Sequence, residues 1–81
     1  MNSTEGSVHR SLTLGEQRVR LSFNPTDNPK VDEIKARAAE LIDLFETMKD
    51  AEARSEKNRC ISIAQTDIET AAMYGVKAAT A

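Results

Sequence analysis

From Val31 onward, apolar residues recur at gaps of three and four: Val31, Ile34, Ala38, Leu41, Phe45 and Met48. That spacing places them on one side of an α-helix, with Ile42 and Leu44 widening the stripe. A second stripe follows with the same period: Ile61, Ala64, Ile68, Ala71, Gly75 and Ala78, flanked by Ile63, Ala72 and Val76. Between them, Asp50 to Lys57 is almost all alanine and charge. A break is expected there, although Ala and Glu propagate helices well enough for the second helix to begin early. Asn28 followed by Pro29, with Asp32 and Glu33 in the next turn, is a strong start signal. The pattern predicts helices over about 29–49 and 53–79, folded back as an antiparallel hairpin.

The segment ahead of them reads differently. Met1 to about Glu16 is rich in Ser, Thr, Gly and Asn, so residues 1–22 are expected to be a flexible or loosely docked leader. Val19, Leu21 and Phe23 alternate with Arg20 and Ser22, which predicts a short extended stretch. Asn24 to Pro29 is a turn cluster, because each proline pushes its predecessor out of helical geometry. The fold class expected is all-α: a helical hairpin over 23–81 behind an extended, turn-rich N-terminal segment.

Size and composition then change the picture. At 81 residues a chain of this kind buries only roughly 60% of its unfolded surface. Its aromatics are Phe23, Phe45 and Tyr74 alone, and much of its 40% apolar content is alanine. Small side chains bury little area each, so a core completed by further copies is expected. The second stripe, mostly Ala and Gly, suits close approach of helices, and Gly75 in mid-helix costs about 1 kcal/mol against Ala unless packing requires it. A net charge of −2 argues against a polyanion binder held by electrostatics alone. Cys60 stands alone, which excludes an internal disulfide framework and fits a reducing compartment; it is expected to be a small buried apolar residue. No apolar run is long enough for a membrane span and the N-terminus lacks a signal-peptide pattern, so a soluble, cytoplasmic protein is expected. His9 lies in the polar leader, and no nucleophile–base, metal or nucleotide-glycine constellation is visible. The chain is therefore read as a non-enzyme with no cofactor.

The segment Asn58 to Ala78 resembles the helical-hairpin domain of phage-encoded cyclic-nucleotide sponges, the anti-CBASS proteins and their Thoeris-inhibiting relatives. The matching elements are Arg59 at its start, the run from Ser62 through Ala64 and Thr66 to Glu69, and the end at Met73-Tyr74 with Val76, Lys77 and Ala78. On the first helix, Ile34-Lys35 followed by Ala39, Leu41 and Ile42 is similar to the family's Ile-Lys motif, and Phe23-Asn24-Pro25-Thr26 resembles a lead-in found in one branch. The resemblance runs from about Phe23 to the C-terminus. It implies a homo-oligomer, usually a hexamer, that sequesters cyclic oligonucleotide messengers without cleaving them and so suppresses CBASS-type defence in the cytoplasm of an infected bacterium. It also implies two kinds of site. Phe23 and Lys35, with Asn24 and Thr26 beside them, correspond to a cyclic dinucleotide site between protomers. Arg59, with Ser62 and Thr66, corresponds to a cyclic trinucleotide site. No membrane, DNA or RNA polymer partner is implied.

Each of these residues has a plainer reading. Phe23 suits base stacking, and equally a hydrophobic staple on the following helix. Lys35 reads as a solvated lysine with an intrahelical partner such as Asp32, and Arg59 as a surface partner of Glu56 or Ser55. Ser62 and Thr66, four apart on one face, bond back to their own helix more often than to a ligand. Asn24 and Thr26 serve the turn first. The rival to the sponge reading is an oligomeric helical adaptor or regulatory protein, which would have no use for Phe23, Lys35 and Arg59; a DNA-binding repressor is disfavoured by the charge.

Overall fold

The computed structural model describes residues 11–81, so His9 and the first part of the leader lie outside the described residues. Three helices follow in order: α1 over Leu14–Val19, α2 over Pro29–Thr47 and α3 over Glu56–Ala79, with no strand among the described residues. The long pair, α2 and α3, forms the expected hairpin. The turn between them starts two residues earlier and ends three later than the alternation of stripe and break predicts.

The ends of α2 and α3 are where local chemistry puts them. The Asn28 side chain accepts from the Lys30 N–H with Pro29 next in line, and Ser55 accepts from the Asn58 N–H at the start of α3. Asn28 also donates to the Ala79 carbonyl at 3.2 Å, tying the start of α2 to the end of α3. The hairpin turn is closed by Asn58, whose amide donates to the carbonyls of Asp50 and Glu52 and whose oxygen accepts from the Asp50 N–H.

Residues 14–19 correct the extended reading of Val19, Leu21 and Phe23. Thr13 and Glu16 form a reciprocal capping box: the Thr13 hydroxyl accepts from the Glu16 N–H and the Glu16 carboxylate from the Thr13 N–H. The helix they start ends at Arg20 in the left-handed region, φ 55°, with the Arg20 and Leu21 N–H groups returning to Gln17 and Glu16. Alternation over five residues was the weaker signal, because a capping box fixes a helix start through two hydrogen bonds.

This short helix is docked on α2. Gly15 is buried and its N–H donates to the Asp43 carboxylate at 2.7 Å. Val19 joins Ala39, Ile42 and Ala72 in the core, with Leu21, Ile34, Ala38 and Ile68 packed around them. The buried face of α2 is Val31, Lys35, Ala39 and Ile42, one position round from the expected stripe. Leu41, Leu44 and Met48 are consequently exposed. On α3 the seam is Asn58, Ile61, Gln65 and Ala72, while Ala71 and Ala78 face outward. Two polar residues thus stand in the seam; the Gln65 amide is satisfied by the Ile42 carbonyl at 3.1 Å and the Glu46 carboxylate at 3.0 Å.

Candidate functional site

The docked α1 and the turn after it create the site. Lys35, in the buried face of α2, extends its ammonium beneath that turn and donates to the Arg20 carbonyl at 2.9 Å and to the Phe23 carbonyl. It is neither solvated nor paired with Asp32, as the plainer reading of the sequence has it. Burial pushes its ammonium below the ordinary lysine range, the nearby Arg20 charge adds to this, and the Asp32 carboxylate opposes it. Two carbonyls inside hydrogen-bond reach keep the group bound where it is.

Above this anchor sits Phe23, whose side chain is half exposed. The Arg20 guanidinium carbon lies 4.3 Å from the ring centroid and the Lys35 nitrogen 5.3 Å from it. Such cation–ring contacts contribute about 0.5–1 kcal/mol at exposed positions. The residue directly before the Asn28 cap is Asp27, and the Phe23 ring lies under the Arg20 guanidinium. The left-handed backbone of Arg20 is a conformation that costs an L-residue roughly 1–2 kcal/mol and a glycine almost nothing.

Phe23, Lys35, Val19 and Arg20 form one wall of a cavity of about 440 Å³ between α1 and α3. Thr66, Thr70, Met73 and the buried Ala72 form the other, a run at helical spacing down one face of α3. The volume is within the range of small-molecule sites, and the pattern of an apolar floor with a few polar groups is typical of them. Arg18 and Glu69 close one side: the guanidinium donates to Glu69 at 2.9 Å and to the Thr66 hydroxyl at 3.4 Å. The result is an aromatic face, two arginines and two threonine hydroxyls around one apolar pocket, which is chemistry suited to a flat base attached to an anion.

The sequence-derived residues divide around this cavity. Phe23, Lys35 and Thr66 come together in its walls, whereas Arg59 and Ser62, grouped with Thr66 by the resemblance, do not line it. Asn24 and Thr26 serve the turn: Asn24 donates to the Asn28 carbonyl and to Asp32, and accepts from the Thr26 hydroxyl at 2.9 Å. Arg59 makes a two-pronged ion pair with Glu56, at 3.0 and 2.7 Å, its plainer reading. That pair holds the Glu56 carboxyl below its ordinary range and raises Arg59 above its own. Ser62 is exposed on the same helix. Cys60 is exposed rather than buried and its thiol donates to Glu56 at 3.7 Å, which corrects the expectation of a small core residue.

Arg18, Arg20 and Thr70 were not singled out by sequence reasoning, and Glu69 entered only as part of the resemblance. The capping box at Thr13 was the available signal for the two arginines, because it fixes the helix that carries Arg18 and is capped by Arg20. Among the described residues, no group of three or more His, Cys, Asp or Glu could hold a metal ion, and no helix is long and apolar enough to cross a membrane.

The family model described as Acb2/Tad1, hairpin domain, matches residues 15–80, which begins inside α1 and takes in the whole cavity. No curated protein and no solved structure gives a match.

Proposed function

The chain belongs to the Acb2/Tad1 hairpin-domain family, and on that premise we propose that it is a cyclic-nucleotide sponge. It sequesters cyclic oligonucleotide second messengers, dinucleotides, trinucleotides or both, without cleaving them, and so suppresses CBASS-type bacterial defence from the cytoplasm of the phage-infected cell. The observation that carries this reading is a cavity in which the exposed ring of Phe23, the guanidinium groups of Arg18 and Arg20 and the hydroxyls of α3 converge. A base stacking on an aromatic ring is worth about 1–3 kcal/mol, and phosphates are met by guanidinium and hydroxyl donors.

Lys35 enters this function as the residue that fixes the Phe23 turn, with Asn24 and Thr26 shaping the same turn. Arg59 and Ser62 form a second, trinucleotide site with Thr66 only where another protomer completes it. That requirement fits the surface: Leu44, Ile63, Met73 and Tyr74 are large apolar residues left exposed on α2 and α3, and further protomers, six in the assembled particle, cover them.

The test is a thermal-shift panel of cyclic di- and trinucleotides, since a ligand that binds the folded state alone raises the apparent melting temperature by mass action. At least one member should shift the melt, and the ligand should be recovered intact when heat or protease releases it. Linear product accumulating with time would replace the sponge with a phosphodiesterase.

A further inference from the structure

Three cations border the cavity, and they are not equivalent. Arg18 is committed to Glu69 and Thr66, and Lys35 to the backbone of the turn. The Arg20 guanidinium rests on the Phe23 ring and, among the described residues, has no carboxylate, carbonyl or hydroxyl bonded to it. Its backbone is left-handed at φ 55°, the position after a helix where glycine fits without strain. The side chain thus occupies a position where the fold favours glycine, and among the described residues it makes no polar contact. It also stands close enough to Lys35 for the two like charges to oppose one another. An unfavourable backbone, an uncommitted charge and a like-charged neighbour together describe a group whose partner comes from outside the chain.

We propose that Arg20 is the phosphate-binding residue of this cavity, its guanidinium forming paired hydrogen bonds to the anion of a cyclic nucleotide whose base stacks on Phe23. The assignment rests on the sponge reading above and deepens it. The Arg20 guanidinium carbon lies over the ring, 4.3 Å from its centroid; with a nucleotide bound, the guanidinium turns outward to the phosphate and yields the ring face to the base. An anion between Arg20 and Lys35 also removes the repulsion between them. A planar fork of N–H donors matches two phosphate oxygens, which a lysine ammonium at the same position does not.

The experiment compares wild type, Arg20→Gly and Arg20→Lys, using 3′,3′-cyclic di-GMP, 3′,3′-cyclic GMP–AMP and 3′,3′,3′-cyclic tri-AMP as probes in calorimetry, with ligand-free melts and light scattering alongside. Arg20→Gly should melt at or above the wild-type temperature and keep its particle size, because glycine relieves the left-handed strain. Its affinity for the probe that wild type binds should fall by about tenfold or more, the loss expected of a charged hydrogen-bonded pair. Arg20→Lys should bind between the two. Wild-type affinity retained in Arg20→Gly overturns the assignment and leaves the sponge reading standing. A binding loss accompanied by a lower ligand-free melt or a changed particle size also overturns it, since Arg20 is then structural. Wild type that binds none of the probes overturns the sponge reading and this assignment with it.

Discussion

A Cβ built on Gly15 would stand 2.1 Å from the carbonyl oxygen of Ala39 and 2.8 Å from its carbonyl carbon. The backbones of α1 and α2 therefore touch at this crossing, with no side chain between them on either helix beyond the Ala39 methyl. Both partners in the approach are backbone, so nothing flexible is available to move aside.

Gly15→Ala should accordingly lift α1 off α2 and cost about 1–3 kcal/mol, at the upper end because the obstacle is main chain. The Gly15 N–H bond to Asp43 and the place of Val19 in the core depend on the same approach. Melting of the variant should be earlier than wild type, and ligand binding should weaken with it, since α1 carries Arg18 and leads into Arg20 and Phe23. A wild-type melt for Gly15→Ala would mean that the crossing is looser than this geometry.

Much of the hairpin was legible in the chain, and the reason is local. Asn28-Pro29 and the two apolar stripes each fix their element through bonds or contacts within a few residues. The register of the seam was not legible to one residue, because apolar positions of α2 outnumber those one partner helix can bury. Polar side chains decided it instead. Lys35 is buried because it finds two backbone carbonyls, and Gln65 because it finds the Ile42 carbonyl and the Glu46 carboxylate; periodicity counts both as surface. Phe23 and Lys35 were accessible as candidates through resemblance. Their cavity was not, because it exists only once α1 is docked, and a helix of six residues leaves almost no periodic signal.

Lys35 offers a separation between anchoring and ligand contact. Its ammonium holds the carbonyls of Arg20 and Phe23 in the free protein, so its loss should be felt before any nucleotide is added. Lys35→Met keeps the buried stem and removes the donor, leaving the turn without its clamp. The ligand-free variant should lose about 1–3 kcal/mol of stability, the range for bonds to a charged group. Nucleotide affinity should fall as well, because Phe23 is no longer held. An unchanged ligand-free denaturation curve would show that Lys35 acts on the ligand alone.

The carboxylates set the acid limit of the fold. The Gln65 amide first, and Lys49 second, hold the Glu46 carboxyl below its ordinary value of 4.5. Lys30 does the same for Glu33, with help from Arg37, and Arg59 for Glu56. A carboxyl with a lowered folded-state value binds fewer protons folded than unfolded. Its stabilisation is then complete above the unfolded value and is lost as pH falls through the folded one. Melting temperature should be nearly level from pH 7 to about pH 5 and fall below about pH 4.5. The individual effects are small because all three side chains are substantially exposed. Glu46→Gln should flatten the acid limb, as it removes the titrating group that faces the buried Gln65. An acid limb of unchanged slope in that variant would show that the Gln65 bond contributes nothing to the pH dependence.

Assembly can be tested at a residue that the hairpin itself does not use. Ala71 is exposed on α3, so a larger side chain there is not forced into the hairpin core. Gly75 is less suitable. A Cβ on it would meet Ile34 at 3.4 Å, an ordinary contact, whereas a leucine would press into that same side chain and disturb the hairpin directly. Gly75→Ala should therefore be tolerated by the hairpin and gain up to about 1 kcal/mol of helix propensity. If copies of the chain pack on the small-residue face of α3, Ala71→Leu should shift the particle to a smaller species in light scattering while far-UV circular dichroism stays helical. The wild-type melting temperature should in turn rise with protein concentration, and that of Ala71→Leu should not. A wild type that is a monodisperse monomer with a concentration-independent melt would sink the oligomer and, with it, any site that needs a second protomer. The cavity between α1 and α3 would remain, since every residue that lines it belongs to one chain.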